Sequence, residues 1–384
     1  MPQFDTQSVH AGYEPDATGA VMPPIYTSTT FIQSAPGQPG PYEYARSGNP
    51  TRQAFERALA ELEGGSTGLA FASGLAATAT VLELLDAGSH IVAFEDLYGG
   101  VWRQFERVRN RSAGLRVSYV PTGDLAALRA AVRPDTKLVW VELPTNPLLE
   151  VVDLEAVVQI AHAAGALVVA DATFATPYLL KPLDFGVDIV VHSVTKYLNG
   201  HSDVIGGAAV VKDAALGQRL AYLQNAIGAV MDPFSSFLAL RGLRTLHLRM
   251  ARHSESALRI ADWLQGRAEV SQVIYPGLPS HPQHILACRL FAKGHGGVLS
   301  VRLAADAAGV NRFLSRLKLF ALAESLGGVE SLISQPASMS HGSLTPELRA
   351  ERGLGPELLR LSVGVEDAGD LIEDLAYALD GLGR

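Results

Sequence analysis

The segment "DIVVHSVTKYLNGHSDV" (residues 188–204) passes from a continuously apolar stretch directly into Ser193, Thr195 and Lys196. Short apolar runs rich in β-branched residues, without alternating polar positions, are typical of parallel strands covered on both faces. A lysine at the end of such a strand is costly to bury unless it is paired or chemically modified. Either Lys196 turns outward to water, or it is the residue that performs the chemistry of the protein.

The same pattern repeats from about residue 68 to residue 211. Apolar runs alternate with helix-like segments whose apolar residues recur every three or four positions, and Asp124 and Asp153 stand at helix starts. Strands that alternate with helices in this way predict an α/β fold with a mostly parallel central sheet and helices on both faces. The apolar runs are "GLAFAS", "HIVAF", "LRVSYV", "KLVWVEL", "ALVVAD", "DIVVHS" and "GGAAVV".

Two regions depart from this pattern and define the predicted domains. Residues 1–45 contain seven prolines and little periodicity, which predicts an arm that packs on something else. Residues 46–240 form the predicted large domain. Residues 241–384 begin with long helical stretches and continue with strand-like runs such as "VSQVIYP" and "LLRLSVG", which predicts a smaller C-terminal α+β domain.

Composition limits the classes of function. Apolar residues make up 48% and charged residues 18% of the 384 residues, and 31 basic against 39 acidic residues give a net charge of −8. No basic run stands out, so nucleic acid is not an expected partner. The apolar runs are too short to cross a bilayer and the N-terminal segment lacks the pattern of a signal peptide, so we expect a cytoplasmic protein without a membrane partner. The single cysteine, Cys288, excludes a disulfide within the chain and a multi-cysteine metal site, and no metal is expected.

Polar residues follow several of the predicted strands, at the edge where parallel α/β sheets bind ligands. Ser73 and Gly74 open a helix, whose first N–H groups favour a phosphate. Asp171 ends a buried strand, where a carboxylate is costly unless it meets a cation. With Tyr98 as a stacking ring and Lys196 as a former of Schiff bases, these groups meet the needs of pyridoxal 5'-phosphate (PLP).

Other classes of function have sequence signatures that can be compared directly. The Ser193-x-x-Lys196 spacing also occurs in serine acyl-enzymes, but the Ser-Asp-Asn and Lys-Thr-Gly motifs that accompany it there are absent from the sequence. The sequence contains no G-x-G-x-x-G, Walker A or H-E-x-x-H motif, which argues against dinucleotide, P-loop and zinc-protease sites. A non-catalytic binding protein on the same scaffold is the alternative of a different class.

Eight stretches, in order along nearly the whole chain, match one family. They are "YEYARSGNPTR" (42–52), "FASGLAA" (71–77), "DLYGG" (96–100), "ELPTNP" (142–147), "DATFATP" (171–177), "HSVTKYLNGHSDV" (192–204), "ESLGGVESL" (324–332) and "LRLSVGVED" (359–367). On these motifs the chain resembles the Cys/Met-metabolism family of PLP-dependent (trans-sulfuration) enzymes. This is the fold-type-I group that contains cystathionine γ-lyase, cystathionine γ-synthase and methionine γ-lyase, so the resemblance implies a fold-type-I PLP-dependent transferase fold.

The resemblance implies a role at the cofactor for each matching residue. Lys196 would carry PLP as a Schiff base and act as the catalytic base, and Asp171 would pair with the pyridine nitrogen. Tyr98 would stack on the ring and serve as acid–base partner of the departing sulfur. The other cofactor-binding residues that the resemblance implies are Ser73, Gly74, Leu75, Asn146, Thr173, Ser193 and Thr195.

The resemblance also implies a second subunit and an amino-acid substrate. Tyr44 and Arg46 match residues that reach the phosphate of the neighbouring subunit, as in a homotetramer built as a dimer of dimers with shared active sites. Arg360 would bind the α-carboxylate of the substrate, with Ser325 nearby. The acidic residues that match positions near the distal end of cystathionine are Glu324 and Glu43.

The reaction expected from the resemblance is the α,γ-elimination of L-cystathionine to L-cysteine, 2-oxobutanoate and ammonia. The first alternative is cystathionine γ-synthase, which joins cysteine to O-succinyl- or O-acetylhomoserine, and methionine γ-lyase and cystathionine β-lyase follow. Gly100 stands where methionine γ-lyases typically carry a cysteine. Two departures from the family pattern, Ala172 and Ala45, each remove a polar group beside a residue expected to contact the cofactor.

Overall fold

In the computed structural model, which describes residues 2–342 and 345–382, the N-terminal segment begins with a helix rather than an extended arm. This helix, α1 (Phe4–His10), packs on the body of the protein, where the ring of Phe4 meets that of Tyr178 with centroids 5.5 Å apart. A short hairpin of β1 (Gln33–Ala35) and β2 (Gln38–Pro39) follows. Most side chains between residues 13 and 45 are exposed or half-buried.

A seven-stranded sheet forms the centre of the large domain. Its strands are β3 (Thr67–Phe71), β4 (His90–Phe94), β5 (Arg116–Val120), β6 (Thr136–Glu142), β7 (Leu167–Asp171), β8 (Ile189–Ser193) and β9 (Gly207–Val211). They lie in the order β3-β9-β8-β7-β6-β4-β5, and only β9 runs antiparallel to its two neighbours. The predicted α/β class with a mostly parallel sheet is confirmed.

Helices cover both faces of this sheet. They are α2 (Pro50–Glu63), α3 (Gly74–Leu82), α4 (Gly99–Arg103), α5 (Asn110–Ala113), α6 (Leu125–Ala131), α7 (Leu154–Ala163), α8 (Thr176–Leu179), α9 (Ala214–Ile227) and α10 (Pro233–Leu243). The Asp124 and Asp153 side chains cap α6 and α7 by accepting hydrogen bonds from N–H groups of the first turn, as their sequence positions predict. A π-helical turn (Gln104–Arg109) joins α4 to α5, and a 3₁₀ turn (Pro182–Phe185) precedes β8.

The strands contribute alternate residues to two separate hydrophobic cores. In β4, Val92 and Phe94 belong to the core on one face of the sheet, whereas Ile91 and Ala93 belong to the core on the other face. Because both faces are buried, the strand shows no polar alternation, and this explains the continuous apolar runs in the sequence. Among the described residues, no helix combines the length and the apolarity that a membrane span requires.

A second, smaller sheet organises the C-terminal domain. Its elements are α11 (Leu246–Gln265), β10 (Val270–Ile274), α12 (His284–Leu290), β11 (Val298–Leu303), α13 (Ala307–Arg316), β12 (Ala321–Leu322), β13 (Leu332–Ser334), α14 (Pro346–Glu351), β14 (Leu358–Ser362) and α15 (Ala368–Leu379). The strand order is β10-β11-β14-β13-β12, and a third core lies between this sheet and its helices. The smaller α+β domain is therefore present; the predicted boundary at residue 241 falls within α10 and stays a prediction.

Candidate active site

A cavity of about 770 Å³ opens at the carboxyl ends of the large-sheet strands, where loops of the C-terminal domain close over them. The ends of β6, β7 and β8 and the start of α3 line one side, and the segments around residues 325 and 360 line the other. The structure thereby brings together thirteen of the residues that the sequence predicts for the site. They are Ser73, Gly74, Leu75, Tyr98, Asn146, Asp171, Thr173, Ser193, Thr195, Lys196, Glu324, Ser325 and Arg360.

Lys196 turns into this cavity rather than out to water. It follows β8 by three residues, and its Nζ donates a hydrogen bond to Ser325 Oγ at 2.7 Å. Burial lowers the pKa of Lys196 to about 8, and the positive charge of Arg360 acts in the same direction. The negative charge of Glu324 opposes them with a smaller effect. A neutral amine is therefore accessible close to physiological pH, and a neutral amine is the form that acts as nucleophile or base.

Two carboxylates lie side by side on neighbouring strands at the floor of the cavity. Glu142 and Asp171 are the last residues of β6 and β7 and are paired in the parallel register. Asp171 Oδ1 accepts a hydrogen bond from the Thr173 N–H at 3.0 Å, and Glu142 Oε2 accepts one from the Tyr98 N–H at 2.8 Å. Among the described residues, neither carboxylate forms an ion pair.

Burial raises the pKa of both carboxyl groups. For Glu142 the second cause is the negative charge of Asp171, and its pKa lies well above the ordinary range. For Asp171 the hydrogen bonds from Thr173 oppose the effect of burial, so its pKa rises less far. Such a pair favours a positively charged group placed against Asp171.

The start of α3 lies beside the end of β8. The Ser73 hydroxyl caps the helix by accepting from the Ala76 N–H at 3.1 Å. The N–H groups of Gly74 and Leu75 belong to the first turn and therefore have no helical partners. A Cβ atom at position 74 would lie 3.1 Å from Ser193 Cβ, so glycine permits the close approach of helix and strand. Backbone N–H groups and a hydroxyl at a helix N-terminus are suited to a phosphate.

Tyr98 presents its ring to the same cavity. It precedes α4, its side chain is 42% exposed, and a Cβ atom at position 100 would lie 2.5 Å from its Cε1. Gly100 therefore gives the tyrosine ring the room to lie along the start of α4. A half-exposed aromatic ring over a cavity offers a stacking surface for a planar ligand.

Arg360 reaches the cavity from β14 in the other sheet. Its guanidinium is buried and donates from Nη1 to Asn146 Oδ1 at 3.0 Å and from Nη2 to the Ser325 carbonyl at 2.9 Å. Its Nε has no hydrogen-bond partner in the described part of the chain. A buried, oriented guanidinium with unused N–H groups is suited to a carboxylate.

The family model for Cys/Met metabolism PLP-dependent enzymes matches residues 5–380. The chain belongs to this family. The resemblance expected from the eight sequence motifs is confirmed, and with it the PLP-dependent enzyme class.

Members of the family that carry three different names resemble the chain. A protein named cystathionine β-lyase from Coxiella burnetii is 54% identical over 98% of this chain and 97% of its own length. A cystathionine γ-lyase from Dictyostelium discoideum is 49% identical over 98% of each chain. The solved structure of cystathionine γ-synthase from Xanthomonas oryzae pv. oryzae in complex with cystathionine superposes with a TM-score of 0.97 at 47% identity, covering 100% of this chain and 99% of that one.

The residues around the cavity fit the PLP cofactor of the family. A pyridinium nitrogen would supply the cation that the buried Asp171 lacks. The start of α3, where Gly74 packs on Ser193, has the donors that a phosphate requires. Lys196 supplies a primary amine in the same cavity.

Three residues expected at the site do not line the cavity of their own chain. Glu43 lies near the hairpin, where its Oε1 accepts from Gln33 Nε2 at 3.1 Å. Tyr44 is 45% exposed, and Arg46 donates from Nη1 to the Asn225 carbonyl at 2.7 Å. Their expected roles in the site of a neighbouring subunit stay predictions.

Sequence reasoning missed several residues that line the cavity. Glu142 ends a buried apolar strand as Asp171 does, so the argument applied to Asp171 would have found it. The segment from Ser338 to Ser340, with Gly342, also lines the cavity, although it carries no recognisable motif. Its position depends on the packing of the C-terminal domain.

Proposed function

We propose that this enzyme catalyses the α,γ-elimination of L-cystathionine, which with water yields L-cysteine, 2-oxobutanoate and ammonia. The observation that carries the proposal is the shared contact at Ser325. Lys196 Nζ bonds to its hydroxyl and Arg360 Nη2 to its carbonyl, and Glu324 stands next to it in the cavity. A base, a carboxylate-binding site and an acidic group thus lie together, as a substrate with two amino-acid ends requires.

The cofactor-binding residues would hold PLP in a defined orientation. Asp171 would bind the protonated ring nitrogen, and Tyr98 would stack on the ring. Asn146, held by Arg360, would lie near the ring hydroxyl. The residues that would hold the phosphate are Ser73, Gly74, Leu75, Ser193 and Thr195, with Thr173 beside the strand end, where its Oγ1 accepts from the Ser193 N–H at 2.8 Å.

The chain's own residues would then direct the proton transfers. When bound, PLP withdraws electrons from the substrate Cα, which makes the α-proton acidic. Arg360 would hold the α-carboxylate, and Lys196, whose lowered pKa makes the neutral amine accessible, would remove the Cα proton, hand it on to the bound cofactor and then remove a Cβ proton. The Tyr98 hydroxyl donates a proton to the departing sulfur. Glu324 attracts the ammonium group at the distal end of cystathionine.

The second candidate is β-elimination of cystathionine, which is favoured by the 54% identity to a protein named cystathionine β-lyase. The two reactions use the same substrate and the same groups on the enzyme but break different carbon–sulfur bonds. γ-Elimination leaves 2-oxobutanoate and cysteine, whereas β-elimination leaves pyruvate and homocysteine. The identity of the keto acid product therefore distinguishes the two reactions, and no comparison of rates is needed.

We expect purified holoenzyme supplied with L-cystathionine alone to release 2-oxobutanoate and cysteine in equal amounts. Supplied with O-succinyl- or O-acetylhomoserine and cysteine, it should form cystathionine with a kcat/KM at least about tenfold below that for elimination. Product analysis by mass spectrometry and steady-state kinetics provide both measurements. Pyruvate as the main keto acid would establish the β-lyase, and a higher kcat/KM for replacement would establish the synthase.

A Glu324→Gln variant tests, in the same assay, whether Glu324 binds the ammonium group at the distal end of cystathionine. Loss of one ion pair at a partly exposed site costs about 1 kcal/mol, so kcat/KM for cystathionine should fall about fivefold. The kcat/KM for O-succinylhomoserine should not fall, because the distal end of this substrate carries no ammonium group. Glu330→Gln is the matched control, since Glu330 is exposed, accepts from Ser202 Oγ at 3.0 Å and does not line the cavity.

We also propose that a second copy of the chain covers the N-terminal segment. Val21 and Ile32 there are 80% and 95% exposed, and Tyr44 and Arg46 lie outside the cavity of their own chain. Sedimentation at assay concentration should show a dimer or tetramer, and Arg46→Ala should weaken PLP binding about tenfold through the lost phosphate contact. A fully active monomer, or unchanged PLP affinity in the variant, would contradict this arrangement.

A further inference from the structure

A cluster of three metal-ligating side chains lies in the C-terminal domain, outside the cavity. His284 and Cys288 are four residues apart on α12, so they share one face of that helix. His295 joins them from the loop between α12 and β11. One nitrogen or sulfur atom from each residue lies within 4.8 Å of the other two.

The two sulfur–nitrogen distances in this cluster match those of a tetrahedral site. Cys288 Sγ lies 3.6 Å from His284 Nε2 and 3.6 Å from His295 Nε2. Zinc binds sulfur at about 2.3 Å and imidazole nitrogen at about 2.0–2.1 Å, so tetrahedral angles place the sulfur about 3.6 Å from each nitrogen. The three ligand atoms therefore lie close enough together for adjustment of the side chains to bring them onto one zinc ion.

The ring of His284 is held in the orientation that a metal ligand needs. Its Nδ1 lies 2.9 Å from the Pro276 carbonyl oxygen. Because a carbonyl only accepts, Nδ1 carries the proton and Nε2 is the unprotonated nitrogen that is able to bind a metal. Histidine ligands in metal sites typically donate their other ring N–H to a carbonyl or carboxylate in this way.

The ring of His295 is fixed by aromatic packing. It meets the rings of Tyr275 and Phe291 edge to face, with centroids 6.2 Å and 6.5 Å away, and stacks on His284 at 6.1 Å. Cys288 is exposed, so the cluster has one side open to solvent. The buried His281 nearby uses its Nδ1 to accept from the Gln283 N–H at 3.2 Å and does not complete the set.

We propose that His284, Cys288 and His295 bind one Zn²⁺ ion per chain, with water in the fourth position. Two imidazole nitrogens and one thiolate suit zinc and disfavour Mg²⁺ and Ca²⁺, which prefer oxygen ligands. The site is independent of the proposed elimination reaction, because none of the three side chains lines the active-site cavity. On binding, the ion replaces the proton of the Cys288 thiol, which is released to solvent.

The single cysteine makes the test direct, because every thiol reaction of the chain reports on Cys288. We expect one equivalent of Zn²⁺ to slow the reaction of the holoenzyme with iodoacetamide at least about tenfold, and an equal concentration of Mg²⁺ to leave the rate unchanged. The protection should be lost in His284→Asn and in His295→Asn. It should be retained in His162→Asn, a control in which an exposed histidine paired with Asp188 is changed.

Metal analysis of the holoenzyme after dialysis supplies an independent readout. We expect one Zn²⁺ per chain in the native protein and in the His162→Asn control, and at least a tenfold weaker affinity in Cys288→Ser. The proposal is overturned if Zn²⁺ leaves the alkylation rate unchanged, if the protection survives in either variant of the cluster, or if Cys288→Ser binds zinc as the native protein does.

Discussion

Replacement of Lys196 by alanine is expected to lower kcat/KM for L-cystathionine by about four orders of magnitude, the upper range for loss of a positioned base. Lys196 is the only primary amine among the described residues that line the cavity, so no other amine can attach the cofactor or move the proton. The fold should be retained, because the Nζ makes one hydrogen bond, to Ser325 Oγ. In the cofactor-free protein, removing this poorly solvated amine should leave the melting temperature equal or higher.

Two further variants separate chemistry from charge in this experiment. Lys196→Arg keeps the positive charge but cannot form the covalent link, so it should be as inactive as the alanine variant. Lys212→Ala removes an exposed lysine directly after β9 and should be fully active. Borohydride should fix the cofactor to a peptide containing Lys196 in the native protein and the Lys212 variant alone. A Lys196→Ala enzyme within tenfold of native activity would contradict the mechanism.

Replacement of Arg360 by alanine is expected to lower kcat/KM about a thousandfold while the protein stays yellow. Truncating one partner of a buried, hydrogen-bonded charge pair costs about 2–5 kcal/mol, and the substrate carboxylate would enter the site unpaired. Steady-state kinetics gives the loss, and the visible spectrum shows that PLP is still bound. The retained colour distinguishes this variant from one that has lost its cofactor.

Arg360→Lys is the matched control for the role of the guanidinium. Lysine keeps the charge but lacks the planar fork that Asn146 and Ser325 hold in place, so activity should recover only in part. Full recovery of kcat/KM would show that the enzyme needs only the positive charge of Arg360. Loss of colour in both variants would instead assign Arg360 to cofactor binding and contradict its role as the carboxylate site.

The large-sheet strands could be located from the sequence because burial on both faces removes polar residues from them. Their directions could not be read in the same way. The "GGAAVV" run has the same apolar character as its neighbours, yet β9 runs antiparallel to β8 and β3. The direction of a strand depends on the length and path of the connection before it, and a central strand has the same composition either way.

Residues at strand ends could be predicted as site residues, but contacts between the two sheets could not. Asp171 was identified because a carboxylate after an apolar run is costly. Ser325, by contrast, lies in a loop, with a φ of 106° that is unusual for a residue other than glycine. Nothing in the local pattern places it beside Lys196; only the resemblance to the family indicated its role. The cluster of His284, Cys288 and His295 could not be found in the sequence for the same reason, since His295 approaches α12 through packing of the domain.

The two sides of the active-site cavity come from parts of the chain that are far apart in sequence. Lys196 and Ser325 are 129 residues apart in the chain, and Asn146 and Arg360 are 214 apart. During synthesis, the lysine, the strand-end carboxylates and the start of α3 all emerge long before Arg360. A nascent chain therefore contains its proposed PLP-binding residues before Arg360, the proposed site for the substrate carboxylate, has been synthesised. Binding of PLP can thus precede the onset of turnover.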